Sequence, residues 1–143
     1  MLMRIVAALL LVGGISASAF AADDAATKEA STAVMHAKFS AASKDISGVH
    51  LHLHHVVNCL VGKDGAGFDA SAGDPCQGMG NGAINDATDA DMKSTLQDVL
   101  AEAQKGLADN NLDSAQATAS DVHDMLQDLL GGSSDSDGDN DSM

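Results

Sequence analysis

The sequence predicts an all-α protein, a small antiparallel helical bundle with a disulfide-stapled, glycine-rich loop. Three observations predict this class. Apolar residues recur three and four positions apart in three long segments, which is the period of one helix face. The 143-residue chain contains no Trp or Tyr and is rich in alanine, a composition that favours helices over sheets. No other segment reads as a β-strand that could pair with the one short alternating stretch.

The first 21 residues predict a secretory signal peptide. Arg4 precedes an apolar run from Ile5 to Ile15, and small residues follow it up to Ala21. This order is typical of export signals, and the run is shorter than the roughly 20 apolar residues that a membrane span needs. We expect cleavage after Ala21, a periplasmic or secreted location, and no membrane insertion after cleavage.

The predicted helical domain spans residues 22–130, and its first element depends on the segment VHLHLH at residues 49–54. As a strand, this segment would place His50, His52 and His54 on one face. The apolar residues around it instead keep spacings of three and four along a longer stripe, which favours a helix. The stripe consists of Met35, Phe39, Ala42, Ile46, Val49, Leu53, Val56 and Leu60.

Residues 24–61 then form either one long helix or two helices broken near Ser47 and Gly48. A turn would normally disrupt the apolar register, so we favour one helix, bent at Gly48. A glycine costs only about 1 kcal/mol in a helix interior. The bundle therefore has three long helices, or four if the first is broken near Gly48.

A helical hairpin is predicted over residues 88–130. Its first helix runs from about Thr88 to Ala108 with Asp86 or Thr88 as N-cap, and a turn follows at residues 109–111. Its second helix ends at Gly131 and Gly132. The apolar faces of the two helices comprise Met92, Leu96, Val99 and Ala103, then Leu112, Ala115, Ala119, Val122, Leu126 and Leu129.

Two segments are not helical. Gly62 to Gly82 holds seven glycines and the only proline, which predicts a long loop. Residues 131–143 form an acidic, low-complexity tail that we expect to be disordered, with weak, nonspecific calcium binding at most.

The two cysteines, Cys59 and Cys76, lie at the end of the first helix and inside the loop. In an exported protein such a pair most often forms a disulfide, and closing this loop would stabilise the fold by roughly 3 kcal/mol. The bond would place the loop over the helix flank that carries His52 and His55. The alternative is a Cys59 thiolate acting as a soft metal ligand beside these two histidines.

Four of the six histidines lie at positions 50, 52, 54 and 55, which predicts a transition-metal site. His50 and His54, four residues apart on one helix flank, are the predicted primary pair. His52 shares the other flank with Cys59, and His55 lies within reach of both. The alternative is that all four are solvated or hydrogen-bonded surface histidines.

Two further histidines are candidate ligands. His36 shares a flank with His50, but about 21 Å would separate them in a straight helix. They could share an ion only if the chain folds back near Gly48 or if another molecule supplies one of them. His123, on the last helix, could complete a site across the bundle, or could simply lie at the core boundary.

The formal net charge of −14 excludes some partners and favours others. Nucleic acid and anionic lipid would be repelled, whereas metal ions would be attracted. The sequence holds no recognisable catalytic motif, so we predict a non-enzymatic protein that handles copper, nickel or zinc. An alternative of another class is a disulfide-stabilised module that binds a periplasmic partner protein without metal.

The export signal, the absence of Trp and Tyr, the hairpin at residues 88–130 and the histidine-bearing helix together resemble small periplasmic metal-binding helical bundles of bacteria. The resemblance covers the helices only. The chain departs from that class in concentrating its histidines in one helix, which argues against storage of several ions. It also resembles cytochrome b562-like bundles, which would imply Met35 and His123 as haem ligands. The scarcity of aromatic residues argues against haem.

Overall fold

The computed structural model describes residues 17–132, and side chains from residue 23 to residue 131. Within this range the chain is helical and contains no strand, so the all-α prediction is confirmed. Most of the predicted signal peptide and the acidic tail beyond residue 132 lie outside the described residues. The helices are α1 (Ala17–Ala42), α2 (Ile46–Val61), α3 (Ala83–Asp86), α4 (Ala90–Ala108) and α5 (Leu112–Gly132).

The favoured single first helix is wrong, because the chain reverses between α1 and α2 at residues 43–45. Asp45 starts α2 as its N-cap, where its carboxylate accepts a hydrogen bond of 2.8 Å from Gly48 N–H. Gln116 of α5 fixes the turn by donating to Ser43 O at 2.6 Å. The break therefore lies upstream of Gly48, which sits inside α2, and α1 packs against α2 instead of continuing into it.

The buried face of α1 explains why the apolar stripe was misleading. Met35 and Phe39, which the stripe placed in the core, are 54% and 46% exposed. Apart from Glu29, small residues occupy the buried positions instead, and Ser40 donates to Val49 O of α2 at 2.8 Å. The fully buried small residues are Ala26, Ala30, Ala33, Ala37 and Ser40. Because their side chains are short, α1 can approach both α2 and α5 closely.

The apolar faces predicted for the other helices form the core. In α2, the stripe residues from Val49 onward are buried, and the hairpin of α4 and α5 is joined at residues 109–111 as predicted. The fully buried residues of these three helices include Val49, Leu53, Val56, Leu60, Leu96, Val99, Ala103, Ala115, Ala119, Val122 and Leu126. The predicted N-cap of α4 is wrong, since Asp89 takes this role by accepting from Met92 N–H at 2.7 Å.

The segment between α2 and α3 is a long loop, as predicted, and the Cys59–Cys76 disulfide is present, with 5.2 Å between the two Cα atoms. Asn58, which is fully buried, holds the same loop from inside. Its side-chain amide donates to Asp69 O at 2.8 Å and Gly73 O at 2.7 Å, and its Oδ1 accepts from Asp69 N–H at 2.8 Å. A loop with little apolar content is thereby fixed to α2.

The two ends of the loop meet backbone to backbone, which requires glycine at both. Gly62 and Gly82 have positive φ angles of 70° and 103°. A Cβ atom at Gly62 would lie 2.0 Å from Asn81 O, and one at Gly82 would lie 2.4 Å from the Val61 carbonyl carbon.

Within residues 17–132, no helical stretch combines the length and the hydropathy of a membrane span.

Candidate metal centre

Three imidazole rings meet where α1 and α2 pack together. His36 comes from α1, whereas His52 and His55, three residues apart, share a face of α2. His36 Nδ1 lies 3.3 Å from His52 Nδ1 and 3.1 Å from His55 Nδ1. One ring nitrogen from each residue lies within 4.8 Å of the other two. The chain reversal at residues 43–45 creates this cluster, which we call the three-histidine cluster.

The two distances from His36 Nδ1 to the other rings match those between ligands of one metal ion. Histidine nitrogens bind Zn²⁺ at about 2.0–2.1 Å, so two of them at a tetrahedral angle lie about 3.3 Å apart. The observed separations of 3.1 Å and 3.3 Å are close to this value. His36 could therefore share one ion with either neighbour with little rearrangement, and the third separation, between His52 and His55, lies within 4.8 Å.

The position of the ring hydrogens also favours a cation. His55 Nε2 lies 2.7 Å from Ala72 O, and a carbonyl can only accept, so Nε2 carries the hydrogen and Nδ1 of a neutral His55 carries a lone pair. His36 Nδ1 faces this lone pair and also His52 Nδ1. One hydrogen can serve only one of these two contacts well. A single cation would instead accept lone pairs from all three Nδ1 atoms.

The loop supplies the outer support of the cluster. The Ala72 carbonyl orients His55, in the way that backbone carbonyls often orient metal-binding histidines. Ala72 lies between Asp69 and Gly73, the two residues that Asn58 binds. The predicted placement of the stapled loop over the His55 flank is thus seen in this contact.

The histidine environment favours the neutral, metal-binding form. Burial, followed by the charges of His55 and His52, lowers the pKa of His36 from 6.5 to about 4. Burial, followed by the charge of His55, also lowers the pKa of His52. Both rings are therefore neutral near pH 7, and a metal ion would displace no proton from their lone pairs.

Phe39 packs against the cluster on its outer side. Its ring centroid lies 5.8 Å from that of His36, with the two rings perpendicular, and 5.5 Å from that of His52. The sequence placed Phe39 in the core and did not connect it with the site. Its position three residues after His36 on α1 was the only available signal. The sequence also gives no sign of the Ala72 carbonyl contact or of the Asn58 side-chain contacts. Both involve backbone acceptors of the loop, which leave no sequence pattern.

The remaining predicted ligands contact groups outside the three-histidine cluster. His50 Nε2 lies 2.8 Å from Asp109 O in the α4–α5 turn, and His54 Nδ1 lies 3.5 Å from the Asp69 carboxylate. His123 Nδ1 lies 2.9 Å from Asp124 Oδ1. Among the described residues, the group of three potential ligands includes neither the predicted primary pair, His50 and His54, nor His123.

Two alternative ligands are also placed by the structure. The sulfur of Cys59 is bonded to Cys76, so in this oxidised form it offers no thiolate. Met35, the first of the two haem ligands implied by resemblance, is more than half exposed on α1.

Comparisons with protein families, with curated proteins and with solved structures found no match to this chain. Its function must therefore be argued from the site itself.

Proposed function

We propose that this protein is an exported, non-enzymatic metal-binding bundle that holds one copper, nickel or zinc ion through His36, His52 and His55. The observation that carries the proposal is the convergence of the three rings, with His36 Nδ1 at 3.1 Å and 3.3 Å from the Nδ1 atoms of its neighbours. This set replaces the pair that the sequence put first, His50 and His54.

The donor set supports these three metals. Imidazole nitrogen is a suitable ligand for zinc, copper and nickel, whereas calcium and magnesium prefer oxygen. Three protein ligands would leave a coordination position for water or for a ligand from another molecule. The formal charge of −14 would raise the local concentration of cations around the chain.

The support around the three-histidine cluster favours a preformed site. His36 and the α2 pair lie on two helices that the capped turn at residues 43–45 and the Ser40 contact hold together. The Ala72 carbonyl fixes His55. Ligands held in this way lose little conformational freedom when an ion binds, which increases affinity.

Export is part of the proposal and has separate support. A disulfide persists in oxidising compartments and is rare in the reducing cytosol. The charged, apolar and small-residue pattern of residues 1–21 is consistent with it. Recovery of the processed chain from a periplasmic or culture fraction would test this part.

Calorimetric titration of the oxidised protein with Zn²⁺, Cu²⁺ and Ni²⁺ tests metal binding. We expect one ion per chain, with affinity lowered by about 100-fold or more by His36→Ala or His52→Ala, because losing a group that only hydrogen-bonds a metal ligand already costs about 10–100-fold. His123→Ala is the matched control and should bind like the wild type. If no ion binds more tightly than about 10 μM, equivalent to roughly −7 kcal/mol, the proposal is wrong.

A further inference from the structure

A second polar site lies where α1 faces the far end of the loop. Glu29 of α1 is only 1% exposed. Its Oε1 accepts a hydrogen bond of 3.0 Å from Gly82 N–H, but its Oε2 is buried without a hydrogen-bond partner. A buried carboxylate oxygen without a partner is costly, by about 1–3 kcal/mol or more for a charged group. Protonated Glu29 can share its proton with the Asp86 carboxylate, so it is the ionised form of Glu29 that lacks a donor.

The side chains around Glu29 are mainly negatively charged. Asp86 of α3, which is 8% exposed, lies within hydrogen-bonding reach of Glu29 and accepts from Asn81 N–H at 2.7 Å. Asp74 of the loop is close enough for its charge to act on Glu29. Among the described residues, no lysine or histidine pairs with Glu29 or Asp86. Lys63 is nearby, but its Nζ lies 3.0 Å from Asp64.

A cavity of about 260 Å³ adjoins this group. Its walls include Glu29 of α1, Asn58 of α2, and Lys63, Asp74 and Cys76 of the loop. Asn58 already uses its amide and its oxygen on the loop backbone. Glu29 and Asp74 therefore supply the negative charge of the wall, and the unpartnered Oε2 is the acceptor with no competing donor.

We propose that this cavity binds a small organic cation of the primary alkylammonium class, whose ammonium group donates to Glu29 Oε2 and is balanced by the charge of Asp74. An ammonium ion supplies the N–H donors that Glu29 lacks. The site is separate from the three-histidine cluster, and the inference does not depend on metal binding there.

The geometry favours an ammonium ion over a bare metal ion. Calcium needs six to eight oxygen ligands and magnesium about six, all within about 2.6 Å of the ion. Among the described residues, the three-histidine cluster is the one group of three potential metal ligands within 4.8 Å, and Glu29, Asp74 and Asp86 form no such group. The cavity is also far larger than the roughly 30 Å³ of one water molecule, so it has room for an alkyl chain.

The charge state of Glu29 gives the binding a pH dependence. Burial, together with the charges of Asp86 and Asp74, raises the pKa of Glu29 to about 7, against the opposing effect of the hydrogen bond from Gly82 N–H. Lys63 is the cationic side chain in the cavity wall. Since an ammonium ion binds the ionised carboxylate, its affinity should be highest above pH 7 and should fall as Glu29 is protonated.

Calorimetric titration of the oxidised full-length protein with n-butylammonium chloride, at constant ionic strength, tests the proposal. At pH 8 we expect saturable binding of one ion per chain, and at pH 6 an affinity about tenfold lower. Glu29→Gln keeps the Gly82 acceptor, removes the charge, and should weaken binding at least tenfold. Asp98→Asn, which removes an equal charge from an exposed residue of α4 outside the cavity wall, should leave binding unchanged.

Three results would overturn the proposal. One is the absence of saturable binding at pH 8 up to about 10 mM, an affinity of only about −3 kcal/mol. Another is equal weakening by Glu29→Gln and Asp98→Asn, which would show general attraction to an acidic protein. The third is tight, Glu29-dependent binding of calcium chloride in a parallel titration. Should Glu29→Gln fail to fold, Asp74→Asn and the wild-type pH dependence provide the same discrimination.

Discussion

The Nδ1 atoms of His36 and His55 lie 3.1 Å apart, although 19 residues separate the two histidines along the chain. The reversal at residues 43–45 makes this contact possible, and the Ala72 carbonyl fixes the ring of His55 on its other side. Helix packing, turn and loop therefore all act on one pair of nitrogens. Changes to any of these three parts should alter metal binding in a predictable direction.

Reduction of the disulfide should weaken metal binding. Cys76 anchors the loop that carries Ala72, so a freed loop would orient His55 less well. We expect an affinity loss of about 10–100-fold, as when other groups that hydrogen-bond a metal ligand are lost, with α4 and α5 still folded. Zinc titrations of the oxidised protein and of a Cys59→Ser, Cys76→Ser double variant measure this. Tighter binding by the reduced wild type than by the double variant would instead indicate a Cys59 thiolate ligand.

Asn58→Ala should destabilise the loop more than the helices. The substitution removes three hydrogen bonds and leaves backbone groups of Asp69 and Gly73 without partners. At about 1 kcal/mol for each bond, the free energy of unfolding should fall by roughly 3 kcal/mol. Urea denaturation measures the loss, and amide hydrogen exchange should locate it in residues 62–82. Asn110→Ala, in the exposed turn before α5, is the control and should change stability by less than about 0.5 kcal/mol.

Acid should destabilise the metal-free protein through His36. Its pKa is lowered to about 4 in the folded state, whereas an unfolded histidine titrates near 6.5, so the unfolded state binds more protons between these values. Stability from this residue is present above pH 6.5 and is lost as the pH falls toward 4. Thermal unfolding of wild type and His36→Gln at pH 7.5 and pH 5 checks this. The variant should lose less stability on acidification, and an equal loss would contradict the buried, neutral state of His36.

Glu29 should give stability the opposite pH dependence to that of His36. Its folded pKa of about 7 lies above its ordinary value of 4.5, so its contribution to stability is present below pH 4.5 and is lost as the pH rises through 7. The change that Glu29→Gln makes in the free energy of unfolding should therefore be about 2 kcal/mol more stabilising at pH 8 than at pH 5. Denaturant titrations at both pH values measure this difference. The same gain in Asp98→Asn, at an exposed position of α4, would show that total charge, not the buried position of Glu29, is responsible.

The helices and the disulfide could be predicted because their signals are local. The buried residues of α2, α4 and α5 repeat at the helical period, and Cys59 had a single partner available. The break after α1 could not be predicted in this way. Alanines form the buried face of α1, while Met35 and Phe39 continue the apolar spacing of α2 on the exposed side. The spacing across the turn was therefore coincidental.

The composition of the site was only partly predictable for the same reason. The histidines at positions 50–55 mark α2 as the histidine-bearing helix, and the sequence lets His36 share an ion with His50 only through a fold-back near Gly48 or through another molecule. Which residues of the cluster would face His36 depended on how α1 packs on α2. That packing selects His52 and His55, while His50 lies against Asp109 O and His54 beside Asp69.

Long-range ¹H–¹⁵N correlation spectra of the histidine rings, recorded with and without one equivalent of Zn²⁺, test the proposed metal centre most directly. They distinguish Nδ1 from Nε2 and report each ring separately. We expect the Nδ1 signals of His36, His52 and His55 to shift together and to saturate at one ion per chain, while the rings of His50, His54 and His123 stay unchanged. Shifts confined to His50 and His54, with His36 unaffected, would contradict the assignment.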